Sequence, residues 1–173
     1  TLTDPSFAGQ IVTMTFPLIG NYGINLEDME ADKVNLKAFI VREKCDYPSN
    51  FRNEMTLDDF LKQQDVVGLE GIDTRALTRI LRNSGVMRGV IAVGEISDAE
   101  ADKLINELDN SNVIMDTTTP EPYILNRRGK KNVAFIDMGA KDGILRDLEK
   151  RDCRISVFPA DVKADEILKI NPE

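Results

Sequence analysis

Residues Asn132 to Ile170, NVAFIDMGAKDGILRDLEKRDCRISVFPADVKADEILKI, decide the fold class. Asn132 to Ile136 is a short apolar run of strand length that stops at Asp137. From Lys141 to Arg151 the apolar residues Ile144, Leu145 and Leu148 recur at helical spacing, so a helix is expected there. Arg154 to Phe158 returns as a strand rich in β-branched residues, and Ala164 to Ile170 is helical again. Strands alternating with helices at this spacing imply a parallel, doubly wound sheet. Only the first β-α-β-α half of such a sheet is expected from these residues.

Upstream, Asn126 to Lys131 (NRRGKK) is basic and contains glycine, and Asp116 to Pro122 is polar with two prolines. That texture predicts a domain boundary near residue 128, separating units 1–128 and 129–173. The first unit reads as mixed β/α. Strands are expected at Gln10 to Phe16, Leu36 to Arg42, Gly68 to Asp73 and Val86 to Val93. Thr56-Leu57-Asp58-Asp59 opens a helix that packs Leu57, Phe60 and Leu61. Thr74 is expected to cap a helix running to about Asn83, with Leu77, Ile80 and Leu81 on its apolar face and Ser84-Gly85 ending it. Ser97-Asp98-Ala99-Glu100 is a capping box, with Leu104, Ile105 and Leu108 facing inward from the helix that follows.

The 173 residues are 42% hydrophobic and 30% charged, ordinary for a globular protein, with net charge −8. A negative surface argues against nonspecific binding to nucleic acid or to an anionic membrane. No apolar run reaches the roughly 18 residues of a membrane span, and no basic-then-apolar leader opens the chain. The two cysteines, Cys45 and Cys153, form no CxxC pair, which suits a reduced, cytoplasmic setting. Histidine is absent. That removes the usual general base near neutral pH, so neither a Ser-His-Asp nor a Cys-His-Glu triad can be completed from these residues. No metal site is expected, because the cysteines lack ligand spacing. The chain opens on turn material and stops straight after a helical pattern, so it reads as a piece of a longer protein.

Several residues invite a functional reading beside a plainer one. Ser6 follows the stiff Asp4-Pro5 turn, which could aim its hydroxyl at a ligand or simply close a local hydrogen bond. Arg75, Arg79 and Arg82 fall at i, i+4 and i+7 and share one helix face, either a phosphate or acidic-partner patch or a solvated surface. Asp137 ends the first strand of the second unit, where α/β sheets bind ligands, yet a strand-end carboxylate also serves as a helix-entry residue. No GxGxxG or GxxxxGK[ST] accompanies it, so no nucleotide or other cofactor site is expected. Cys153 could be a nucleophile only with a base beside it and reads as core; Cys45 has no evident role.

Three stretches closely resemble the amino-terminal domain of the carbamoyl-phosphate synthase small subunit: Leu2 to Gly23 (LTDPSFAGQIVTMTFPLIGNYG), Ser49 to Leu61 (SNFRNEMTLDDFL) and Gly71 to Gly89 (GIDTRALTRILRNSGVMRG). Val133 to Asp161 is similar to the opening of the class I glutamine amidotransferase domain, a flavodoxin-like fold, that follows in that family. The resemblances run in the family's order over nearly the whole chain. Asp142-Gly143 departs from the Arg-Asn pair common after such words, and Met138 replaces the usual Phe.

The resemblance implies a glutamine-hydrolysing subunit. It uses a cysteine thioester and passes ammonia through a tunnel to a large partner subunit. That partner uses ATP, with Mg expected beside it, to make carbamoyl phosphate for arginine and pyrimidine synthesis. The family's Cys-His-Glu triad would lie beyond Glu173, so no catalytic residue is expected among these, and the family's first strands would precede Thr1. One substrate contact carries over: the serine of the family's TDPS turn, here Ser6, touches glutamine. The family's large subunit is therefore the expected partner, and glutamine the expected small-molecule ligand. Two other readings stay open. The β-α-β-α end could begin another cofactor-binding α/β enzyme, or the chain could be a stand-alone interaction module using its arginine face.

Overall fold

The computed structural model describes all residues, 1–173. The architecture is mixed α/β, as the alternating pattern predicts, and is built on two separate apolar cores. The first core lies under a parallel sheet of β1 (Ile11–Thr13), β3 (Ala38–Ile40) and β5 (Val67–Leu69), in the order β1-β3-β5. Ile11 pairs with Ala38, and Ala38 in turn with Val67. The central strand β3 is buried at all three positions. A parallel strand covered on both faces has no polar side, which is why Leu36 to Val41 reads as a nearly unbroken apolar run. A smaller pair, β2 (Leu18–Ile19) with β4 (Glu43–Lys44), extends the same connections. Helix α1 (Leu57–Gln63) lays Leu57, Phe60 and Leu61 onto this layer, where Leu57 and Leu61 cluster with Leu36, Phe39 and Val41. Its start is fixed by Thr56, whose hydroxyl oxygen accepts from the Asp59 amide at 3.1 Å.

The second core belongs to a sheet ordered β6-β8-β7, with β6 (Tyr123–Leu125), β7 (Lys131–Ile136) and β8 (Cys153–Phe158). β7 and β8 run parallel over six paired residues, joined by helix α5 (Asp142–Lys150), and helix α6 (Ala164–Leu168) follows. The predicted β-α-β-α order is therefore present, with boundaries within two residues at each end. Leu145 from α5 closes over Cys153, Ile155 and Val157. The sheet also reaches back across the boundary expected near residue 128. β6 pairs antiparallel with β8 on the edge opposite β7, so Ile155 is hydrogen-bonded on both sides and has no exposed surface. The short Tyr-Ile-Leu run carries too weak an alternation to announce β6; the free edge of β8 recruits it.

The region between the cores departs most from expectation. Helix α2 (Thr74–Ser84) forms, but its cap is Asp73, whose carboxylate accepts from the Ala76 amide at 3.0 Å. Thr74 is instead the first helical residue, and its side chain is buried. Asp is at least as good a cap as Thr, and the position one residue earlier leaves Thr74 in the buried first turn. Ile80, expected on a packed face, stands exposed. The expected strand Val86 to Val93 does not form, and none of its amides donates a backbone hydrogen bond. It pairs with no strand of any sheet, and an extended segment without a hydrogen-bonded partner is not a strand. Helix α3 (Asp98–Glu107) carries the predicted capping box, with Ser97 and Glu100 bonded reciprocally. Leu104 and Leu108 do not face inward as expected; both are exposed. A short helix, α4 (Val113–Thr117), leads from there to β6.

Candidate functional site

The turn around Ser6 is held from three directions. Pro5 opens a single 3-10 turn, Pro5–Phe7, which its fixed φ favours. The buried Asp4 carboxylate accepts from the Ser6 amide at 3.0 Å, and the Ser6 carbonyl accepts from the Gln10 side chain at 3.1 Å. Thr3, Asp4 and Pro5 are buried, while Ser6 is exposed. The residues before Ser6 are thus buried, the backbone of the turn is bonded, and the serine is presented to solvent.

The turn rests on the second sheet. Pro5 Cβ lies 3.3 Å from where a side chain on Gly139 would begin, and Gly139 has φ +88, so a bare, left-handed residue permits the approach. Lys141 Nζ meets Asp4 Oδ2 at 2.6 Å. Burial pushes the Asp4 carboxyl up, but Lys141 and the Ser6 bonds outweigh it and hold it below its ordinary value. The hydrogen bond that Lys141 donates to Asp4, and the charge of that carboxylate, raise the Lys141 ammonium in turn. Ser6 therefore sits beside the loop that leaves the carboxyl end of β7, the end at which α/β sheets bind ligands.

Asp137, the strand-end candidate, is fully engaged in structure. Its Oδ1 accepts from the Gly139 and Ala140 amides at 3.0 and 2.9 Å, and its Oδ2 from the Thr119 amide at 2.7 Å. It shapes the loop that receives the Ser6 turn. Thr118 Oγ1 donates to the Asp137 carbonyl and accepts from the Ala160 amide, stitching together the ends of β7 and β8.

Acidic groups crowd the same end. Partial burial pushes the Asp142 carboxyl up, and Asp32, Glu30 and Asp137 add to the effect against the pull of Arg146. Burial likewise raises the Tyr123 hydroxyl, with Asp137 and Asp142 contributing. No group of three or more His, Cys, Asp or Glu side chains here could hold a metal ion.

The remaining candidates stay apart from this site. Arg75, Arg79 and Arg82 lie exposed on α2. Cys153 is buried in the second core, and Cys45 is half-buried in the loop after β4. Neither cysteine has a histidine to serve as its base, since the chain contains none. What the site offers chemically is a presented hydroxyl on a rigid support, able to hydrogen-bond a polar ligand. Two residues of the support escape sequence reasoning: Lys141, which reads as an ordinary surface lysine, and Glu30, which lies in an acidic loop without periodicity. Only contacts across more than a hundred residues reveal them.

Comparison with known proteins shows the family. A family model described as the carbamoyl-phosphate synthase small chain, CPSase domain, matches residues 1–91. The carbamoyl phosphate synthase small chain of Clostridium perfringens (strain 13 / Type A) is 52% identical over 172 residues, covering 99% of this chain and 49% of that protein. The protein of the same name from Bacillus thuringiensis subsp. konkukian (strain 97-27) is 46% identical over 177 residues, covering 100% and 47%. That of Caldanaerobacter subterraneus subsp. tengcongensis is 45% identical over 172 residues, covering 99% and 46%. The chain spans about half the length of these curated relatives. With a family model matched over more than half of its residues, the chain belongs to the carbamoyl-phosphate synthase small chain family.

Proposed function

We propose that this chain is the glutamine-gripping and scaffolding half of the small subunit of glutamine-dependent carbamoyl-phosphate synthase, with Ser6 as its contact to glutamine. The observation that carries the reading is the Ser6 turn. The residues before it are buried, its backbone is bonded, Ser6 itself is exposed, and Asp4–Lys141 ties the turn to the carboxyl end of β7. Glutamine carries a charged α-amino and α-carboxylate, which a preoriented hydroxyl can hydrogen-bond at little entropic cost. In this reading the whole subunit hydrolyses glutamine, and the ammonia goes to a large partner subunit for a ligase reaction. ATP and Mg belong to that partner, and the heterodimer works in the cytoplasm. The residues present supply no nucleophile–base pair, so this half binds and positions while the chemistry lies in the other half.

The test uses the full-length subunit with its large partner. A hydrogen bond to a charged group contributes about 1.5–3 kcal/mol. Ser6 binds away from the reacting amide, so ground state and transition state lose that contact alike. Ser6→Ala should raise the glutamine KM roughly 10- to 150-fold and leave kcat nearly unchanged. Synthesis from free ammonia should not change. An unaltered glutamine KM would refute the assignment, and an equal loss with ammonia would indicate damaged assembly instead of a lost substrate contact.

A further inference from the structure

We propose that Glu30 is a positioning residue that clasps the Ser6 turn onto the second sheet, an inference that rests on the proposed role of Ser6. Helix α5 begins without a cap of its own, because Lys141 at its N-cap position makes no side-chain cap bond. Four amides at a helix start need acceptors from elsewhere. Glu30, far away in sequence, supplies two of them. Its Oε2 accepts from the Gly143 amide at 2.9 Å, and its carbonyl accepts from the Asp142 amide at 3.0 Å. A carboxylate at this place also faces the positive end of the helix dipole. Arg146, one turn further along α5, approaches the same carboxylate at 3.9 Å and donates to the Met29 carbonyl at 3.4 Å. Gly143 leaves room for this approach: a Cβ there would lie 2.9 Å from Glu30 Oε2.

The same residue also grips the turn. The Glu30 amide donates to Thr3 Oγ1 at 3.0 Å, and Thr3 is buried three residues before Ser6. Glu30 is therefore bonded through its amide to the substrate turn and through its carbonyl and carboxylate to the start of α5. Together with Asp4–Lys141, it makes two parallel ties between Ser6 and the loop that follows β7. Misplacement of a contact residue by about an ångström is costly for binding and reaction alike. A single ion pair leaves the turn free to pivot, whereas two ties separated along the chain do not.

The experiment compares Glu30→Ala, Glu30→Gln and Thr3→Val in the full-length subunit with its large partner. Glu30→Ala should raise the glutamine KM about 2- to 30-fold, the span that a carboxylate at a helix N-terminus covers, with kcat and ammonia-dependent synthesis kept. Glu30→Gln retains an acceptor for the Gly143 amide and should recover most of the affinity. Thr3→Val cuts the other side of the clasp and should raise KM in the same direction. Hydrogen exchange at the Gly143 amide, whose acceptor is the Glu30 carboxylate, gives a second readout that needs no enzymatic activity: it should exchange faster in Glu30→Ala. Unchanged exchange at this amide overturns the clasp. Faster exchange with an unchanged KM overturns the positioning role. A wild-type subunit that does not hydrolyse glutamine would refute the functional reading itself, and the exchange data would still decide whether the clasp exists.

Discussion

Two segments of similar apolar content, Val86 to Val93 and Cys153 to Phe158, both read as strands, and the structure treats them differently. In β8 five of six residues are buried, with β7 parallel on one edge and β6 antiparallel on the other. The earlier segment has no ladder: Val86 and Val93 are almost fully exposed, and only Val90 and Ile91 are half-covered. The contrast extends beyond them, for no residue between Thr74 and Leu145 is buried. β-Propensity measures how well a side chain fits a pleated, half-buried surface, so it expresses itself only where neighbours provide that surface. Val86 to Val93 has the propensity and lacks the neighbours.

The contrast can be tested by substitution, beginning where the effect should be largest. Ile155→Ala removes a side chain with no exposed surface from the second core and should destabilise the fold by about 2–5 kcal/mol, read from urea unfolding. A loss no larger than that of a surface mutation would erase the distinction between the segments. Next, Asp73→Ala should cost about 0.5–2 kcal/mol, because Asp73 caps α2 at the edge of the unpacked region. If only Thr74 substitutions destabilise and Asp73→Ala does not, the cap has been misplaced.

The Asp4–Lys141 tie should contribute less, since Lys141 is close to half exposed and solvent screens the pair. Its pH dependence has a definite sign. Asp4 has a folded-state value below its ordinary 3.8, so its contribution is present above 3.8 and is lost as pH falls through the lower, folded value. Lys141 is raised above 10.5, so its contribution is present below 10.5 and is lost as pH climbs through the folded value. Asp4→Asn should flatten the acid limb of a stability–pH curve; an acid limb of unchanged slope would remove Asp4 from the account. Smallest of all, Val93→Ser should shift stability by no more than about 0.5 kcal/mol. Amide exchange should be fast throughout 86–93 and slow in 153–158. Protection across 86–93 would mean that the segment has found a partner in solution, and the contrast would then be one of occupancy instead of structure.

Local signals carried most of the secondary structure. The Thr56 cap, the Ser97 capping box, the apolar run of β3 and the β-α-β-α series after Lys131 all depend on residues within a few positions of one another, and each is legible. The errors fall where a distant neighbour decides. β6 exists because β8 has an edge to fill, and the inward face expected for Leu104 and Leu108 fails because α3 joins neither apolar core. The site divides in the same way. Ser6 was singled out from its Asp-Pro turn and from the family's words, whereas Glu30 and Lys141 carry no local signature.

The amino-acid sequence alone determined the α/β class, the α5 and β8 elements, the family, and the absence of any histidine-dependent chemistry in these residues. The family follows from the resemblance of long stretches of sequence, and the rest from composition, periodicity and short-range hydrogen bonding. Only the tertiary structure decided which extended segments became strands, and that the Ser6 turn lies against the end of β7, held by Asp4–Lys141 and Glu30–Gly143. Strand pairing and ion pairing join groups far apart in sequence, and their free energy depends on geometry that no local window of residues contains.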